Sequence, residues 1–220
     1  MLKGIILLEV LVLALAGAML LGRRLLQIPQ QVALAAEPAR VDPKAVPCAA
    51  MAGPVVRVAA ARQALGTVRQ PLLLVEKSLH RLTVFDGGVA RKSYRVAIGG
   101  GRGDKTCEGD RCTPEGEFYV CVKNPNSRFT LALGLSYPNA ADAARGLRAG
   151  QITRAQHDAI VDAIGRRCRP PWSTPLGGEI MIHGKGAGRD WTLGCIAMDD
   201  EDIRELYPAI RLGTVVRVLP

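Results

Sequence analysis

From Pro71 onward the chain is cut into short apolar segments by turn-forming residues, which limits the fold to short strands joined by tight connections. Leu72 to Val75, Arg81-Leu82-Thr83-Val84-Phe85 and Val89 to Ile98 read as successive strands, with Asp86-Gly87-Gly88 supplying hairpin chemistry between the last two. Glu117 to Val122, Glu179 to Ile182 and Thr214 to Leu219 add further strands, so residues 71–219 are expected to be mainly β. Helical signals interrupt this pattern twice. Thr153 with Gln156 has the form of a capping box, Ile160, Val161 and Ile164 make an apolar stripe, and Gly165 is expected to end that helix in a left-handed cap. With the alanine-rich stretch Ala140 to Leu147 it makes a helical insertion over 139–170, either a wall of a substrate cleft or a cap over a sheet edge. A short C-terminal helix starts at Asp199 or Asp200, where acidic residues suit the helix dipole; Ile203, Leu206 and Tyr207 share a face, and Pro208 should stop or kink it.

Ahead of this domain lies a different chemistry. Gly4 to Gly22 is an apolar run broken only by Glu9, long enough as a helix to span a bilayer, while Ala33-Leu34-Ala35 before Glu37-Pro38 has the small residues of a cleavage site. Residues 1–36 are therefore a signal peptide or a membrane anchor. Arg23 and Arg24 follow the run, on the side that the positive-inside rule disfavours for an exported domain with its anchor retained. Both readings place the rest of the chain outside the cytoplasm, in the periplasm or cell-wall space, with 37–70 as a spacer.

Lysine and arginine (29) exceed aspartate and glutamate (20), but the basic residues are scattered and aromatics make up only 4% of the chain. A nucleic-acid surface needs clustered charge, so none is expected; anionic headgroups and wall polymers suit an exported basic protein better. Six cysteines in an exported chain suggest disulfides. With Cys195 kept as a free thiol, the expected pairs are Cys107 with Cys112 and Cys121 with Cys168, leaving Cys48. A metal site at Cys107 and Cys112 is disfavoured, because the spacing is not a Cys-x-x-Cys hook and no second hook or nearby histidine completes a ligand set.

The chemistry concentrates at Ile182-His183-Gly184 and Thr192-Leu193-Gly194-Cys195-Ile196. A histidine and a cysteine twelve positions apart are usually packing residues. Here an apolar strand delivers His183 into a loop too rich in glycine and charge to be core, and a second apolar step delivers Cys195. Free cysteine is only about three per cent thiolate at neutral pH, and a protonated histidine beside it lowers the thiol pKa. Gly194 allows close backbone approach, so amides at Gly194, Cys195 and Gly184 are candidates to hold an oxyanion. A backbone carbonyl near Gly184 to Gly186 is the candidate to orient His183, since no acidic partner is evident. A thiol-redox role is disfavoured, as Cys195 has no Cys-x-x-Cys partner.

These residues resemble the L,D-transpeptidase (YkuD-like) catalytic domain, the cysteine enzymes that remodel bacterial peptidoglycan. Its members carry Ile-His-Gly, a variable loop, Ser/Thr-x-Gly-Cys-Ile, an acidic-capped helix and a final Gly-Thr-x-Val strand, matched here by 182–184, 192–196, Asp199 to Tyr207 and Gly213-Thr214-Val215-Val216. Gly103-Asp104-Lys105, Gly109-Asp110 and Thr113-Pro114-Glu115-Gly116-Glu117-Phe118 match the glycine-rich turn and strand entry. Asn124 to Phe129 and Leu135 to Asn139 resemble the branch with a helical insertion before the His-Gly motif. Leu193 and Ala197 depart from the pattern, standing where many members have His and Arg. The resemblance implies a mixed-sheet sandwich or flattened barrel, with Cys195 as nucleophile, His183 as base and no cofactor. It implies peptidoglycan stem peptides as substrate, with transfer to another stem or to a wall-anchored protein, or hydrolysis as the alternative outcome. It makes Arg128, Lys185 and Arg189 candidates to meet substrate carboxylates, and Trp191 and Thr192 candidates to wall the cleft. A wall-binding module that keeps the fold without catalysis is the alternative from another class. His80 and His157 are expected at the surface, and Asp104 and Asp110 are expected to cap their own turns.

Overall fold

In the computed structural model, which describes residues 64–220, the Asp86-Gly87-Gly88 turn forms as its chemistry predicts, with Gly87 and Gly88 at φ 58° and 85°. It joins β2 (Arg81–Asp86) to β3 (Val89–Arg95) in antiparallel register, Asp86 facing Val89. β1 (Pro71–Glu76) runs antiparallel to β2 on one side and parallel to β8 (Val215–Leu219) on the other. β4 (Gly116–Asn124), β5 (Ala132–Leu135), β6 (Met181–His183) and β7 (Ile196–Ala197) complete an eight-stranded mixed sheet in the order β3-β2-β1-β8-β4-β5-β6-β7. The two ends of this order meet. Ala97, just beyond β3, and Ala197 in β7 exchange two backbone hydrogen bonds of 2.8 Å, so the sheet curls onto itself.

The curled sheet encloses a core of alternating strand residues. Leu73 and Val75 of β1, Leu82 and Val84 of β2, Phe118 and Val120 of β4, and Val216 and Val218 of β8 are all buried, joined by Ile203 and Leu206 of α3 (Asp200–Ala209). Each such side chain contributes roughly 1.5–3 kcal/mol of apolar burial. β5 and β7 were not apparent as strands in the sequence. All four residues of β5 are buried, so no alternation marks it, and β7 has two residues. Pro208 lies inside the last turn of α3 and does not stop it: the helix runs to Ala209, and the Lys123 ammonium donates to the terminal carbonyls of Tyr207 (2.8 Å) and Ile210.

α1 (Ala140–Arg148) and α2 (Arg154–Gly165) form the insertion. The Thr153–Gln156 capping box closes reciprocally, with the Thr153 amide donating to Gln156 Oε1 (2.9 Å) and the Gln156 amide to Thr153 Oγ1 (3.2 Å). The C-terminus differs from expectation. The left-handed residue is Arg167 (φ 53°), two positions after Gly165; the Cys168 amide bonds Ala163 O and the Arg167 amide bonds Ile164 O, which is a Schellman cap. Arg167 holds that backbone through a guanidinium bond to Gly213 O (2.8 Å) and contact with the Tyr119 ring. Ala143, Ile152, Ile160 and Leu176 make a separate apolar cluster, and Gly146 is small because a Cβ there would lie 2.7 Å from Leu176.

The end of the expected spacer belongs to the domain: Leu65 and Val68 are buried, and the Leu65 amide donates to Glu205 Oε1 (2.7 Å). The apolar segment 4–22, the cleavage motif and Cys48 lie outside the described residues. The expected disulfides are not formed. Cys107, Cys112, Cys121 and Cys168 are free thiols, and three of the sulfurs turn to backbone carbonyls instead: Cys112 to Arg102 O (3.2 Å), Cys121 to Gly134 O (3.5 Å) and Cys168 to Arg166 O (3.6 Å).

Candidate active site

Parallel pairing of β6 and β7 sets Ile182 beside Ile196 and His183 beside Ala197. Both isoleucines are fully buried, so strand alternation turns His183 and Cys195 together to the opposite face, and both line one cleft of about 780 Å³.

His183 is held from several directions. Its Nδ1 lies 2.7 Å from Gly184 O, and because a carbonyl can only accept, Nδ1 carries the proton and Nε2 of the neutral ring is left as the acceptor. Phe129 stacks on the imidazole (centroids 4.5 Å, 26°), and Trp191 meets it edge-on at 5.7 Å while donating its indole N–H to Gly186 O (3.1 Å). The loop after His183 is tied to the start of α3. Asp200 Oδ1 accepts from the Lys185 amide (2.9 Å) and the Thr130 hydroxyl (2.7 Å), and Asp199 Oδ1 accepts from the Ala187 amide (3.1 Å). Gly184 is required here, since a Cβ would lie 2.4 Å from Asp200 Oδ1 and 2.9 Å from Phe129 O.

The cysteine side is built from hydroxyls and close backbone approach. Cys195 O accepts from Thr192 Oγ1 (2.7 Å) and Thr113 Oγ1 (3.4 Å), and Thr113 also accepts from the Gly99 amide (2.8 Å). Gly194 sits at φ 127°, where a Cβ would lie 2.7 Å from Cys112 O. The half-buried thiol donates to Glu179 O at 3.6 Å.

Burial pushes the Cys195 thiol pKa up and the His183 imidazole pKa down. Both directions favour the neutral thiol and the neutral ring over a thiolate beside a protonated histidine. A neutral ring with Nδ1 bonded to Gly184 O can accept a proton at Nε2.

The sequence candidates divide. Arg128, Trp191 and Thr192 line the cleft. Lys185 and Arg189 are not among its lining residues; Lys185, at φ 83°, turns toward Asp200 with its ammonium 3.7 Å from the carboxylate, and Arg189 is exposed on the glycine-rich loop. Two of the three amides expected at an oxyanion are engaged, Gly184 N–H with Phe129 O (3.0 Å) and Gly194 N–H with Thr192 Oγ1 (3.2 Å), and Gly184 meets His183 through its carbonyl instead. α1 and α2 contribute no lining residue; Leu176, in their cluster, leads into Gly177–Ile180, which do line the cleft, so the insertion buttresses the wall from behind. Asp104 and Asp110 cap their turns as expected, Asp110 accepting from the amides of Thr106, Cys107 and Cys112. His80 is exposed and bonds Asp190, and His157 bonds Asp158. Among the described residues no three His, Cys, Asp or Glu side chains gather as a metal-holding group. Sequence reasoning missed Phe129, Asp199, Asp200, Thr113 and Glu179 as site residues.

The chain is similar to several known proteins. YafK of Escherichia coli (strain K12), whose own assignment as an L,D-transpeptidase is provisional, is 29% identical over 119 residues, 52% of this chain and 35% of YafK. The chain thus spans about a third of the length of the curated relatives it matches. Among solved structures, the helical cell shape determining protein Pgp2 from Campylobacter jejuni is 22% identical with a TM-score of 0.47, covering 67% of this chain and 46% of that one. An L,D-transpeptidase from Xylanimonas cellulosilytica is 12% identical with a TM-score of 0.43, covering 71% and 64%. The YkuD model, the L,D-transpeptidase catalytic domain, matches residues 70–218, and the chain belongs to that family.

Proposed function

We propose that the domain is a peptidoglycan-modifying cysteine acyltransferase acting on tetrapeptide stems, working in the exported space. The observation that carries this reading is the shared cleft of Cys195 and His183, with Nδ1 committed to Gly184 O and Nε2 left to take a proton. His183 Nε2 removes the Cys195 proton as the sulfur attacks the carbonyl at the L-centre of a diamino acid. The negative charge on the tetrahedral oxygen is met by the Cys195 N–H, presented by the turn at Gly194. The C–N bond breaks, the imidazolium returns its proton to the departing D-alanine amine, and a thioester remains on Cys195. An amine from a second stem, or from a wall-anchored protein, then attacks the thioester and Cys195 regains its proton.

Incubating the purified protein with tetrapeptide muropeptides tests this reading. New crosslinked dimers, lost in Cys195→Ala, are the expected products. Tripeptides without dimers mean that water resolves the thioester and the enzyme is a hydrolase. Unchanged muropeptides would reject both.

A further inference from the structure

The charges around the thiol are mixed in sign, where the sequence suggested cations alone. Two of the three expected cations lie off the cleft. Lys105 does line it, but its ammonium is spent on Asp110 (2.8 Å) and Cys107 O (2.8 Å). Arg128 remains, over the Phe129 ring at 4.8 Å. Against it stand two exposed carboxylates of the lining, Glu108 and Glu179.

Glu179 is the one joined to the chemistry. Its carbonyl accepts from the Cys195 thiol at 3.6 Å, and after burial its carboxylate is the charge that pushes that thiol's pKa up, against the smaller opposing pull of Lys105. Its backbone is left-handed, at φ 56°, a region that glutamate enters only at an energetic cost. The turn is fixed from behind: a Cβ on Gly178 would lie 2.4 Å from Trp172, and one on Gly177 would lie 3.3 Å from Glu108. A negative charge beside a nucleophile that must become a thiolate opposes the reaction in the empty cleft. Pairing that charge with a cation on the substrate removes the opposition.

We propose that Glu179 is a specificity-determining residue whose carboxylate receives an ammonium group of the stem peptide, the free amine of its diamino acid. The assignment rests on the acyl-transfer reading above and names what that site selects. Arg128, the cleft's remaining cation, is left for a substrate carboxylate. Occupation of Glu179 cancels its field on Cys195, so the correct substrate also readies the thiol.

Calorimetric binding to the full chain carrying Cys195→Ala tests this, comparing a tetrapeptide stem with a free side-chain amine against the same peptide acetylated there. Acetylation is expected to weaken binding about tenfold, the worth of one charge-assisted hydrogen bond. Adding Glu179→Gln should abolish that difference, and adding Glu108→Gln should leave it. Glu179→Gly, which suits a left-handed backbone better than glutamate, should behave like Glu179→Gln without lowering Tm. In the chain with Cys195 intact, Glu179→Gln should speed iodoacetamide alkylation of Cys195 several-fold, because the opposing charge is gone. Equal binding of the two peptides, or a difference that survives Glu179→Gln, would overturn the proposal. The two readings fail separately: a protein that discriminates the amine but never forms a thioester contradicts acyl transfer, and a thioester-forming enzyme indifferent to the amine contradicts only the role of Glu179.

Discussion

The two halves of the site, one ending β6 and the other preceding β7, are held by different physics. The His183 side is clamped by side chains: the carboxylates of Asp199 and Asp200 fix the following loop, and Phe129 and Trp191 bracket the ring. The Cys195 side is fixed by space, a glycine at φ 127° pressed against Cys112 O with two threonine hydroxyls on one carbonyl. Charge and ring contact therefore hold His183, whereas close backbone packing and two hydroxyls hold Cys195.

Substitutions can break this contrast. Cys195→Ala and His183→Ala should each reduce product formation by about 10⁴-fold or more while leaving the fold intact, since neither half works alone; kinetics with matched circular dichroism checks both. Gly194→Ala should come next. A Cβ at 2.7 Å from Cys112 O on a backbone that alanine avoids is expected to lower stability by about 1–3 kcal/mol and displace the thiol, read as a falling Tm together with lost activity.

Asp200→Ala should be milder in stability, about 1–2 kcal/mol, and should reduce kcat by loosening the histidine loop. The carboxyl of Asp200 is held below its ordinary pKa, first by the Thr130 hydroxyl and then by the Lys185 amide. Its contribution is therefore present above the ordinary aspartate pKa and lost as pH falls through the lower folded value. Thermal melts of wild type and Asp200→Ala should differ at neutral pH and converge in strong acid; a constant gap would contradict the assignment.

The smallest effect concerns resting protonation. With burial raising the thiol and lowering the imidazole, alkylation of Cys195 by iodoacetamide in the free protein should keep climbing as pH rises past the ordinary thiol range. A plateau reached in mild acid would mean a preformed thiolate–imidazolium pair and would equalise the two halves electrostatically.

What could be read from the sequence was local. The Thr153–Gln156 box and the Asp86-Gly87-Gly88 turn are decided within a few residues, and both formed as expected. The glycine and the sulfur of the Gly194-Cys195 step likewise announce their own backbone and chemistry. What could not be read depends on distant pairing. The Thr130–Asp200 bond joins residues 70 positions apart, and Phe129 reaches His183 only because β5 lies against β6. Lys185 and Arg189 sit in the expected loop, but sequence does not encode which way a loop's side chains turn, and the positive φ of Lys185 sends its amide and ammonium to Asp200. The left-handed cap moved from Gly165 to Arg167 because tertiary contacts to Gly213 and Tyr119 outweighed the local preference for glycine.

The most direct test is intact-protein mass spectrometry after brief mixing with a tetrapeptide stem. Acyl transfer through Cys195 requires an adduct equal to the stem minus D-alanine, absent from Cys195→Ala and greatly slowed in His183→Ala. Products that accumulate with no such adduct at any time, or an adduct that persists in Cys195→Ala, would contradict it.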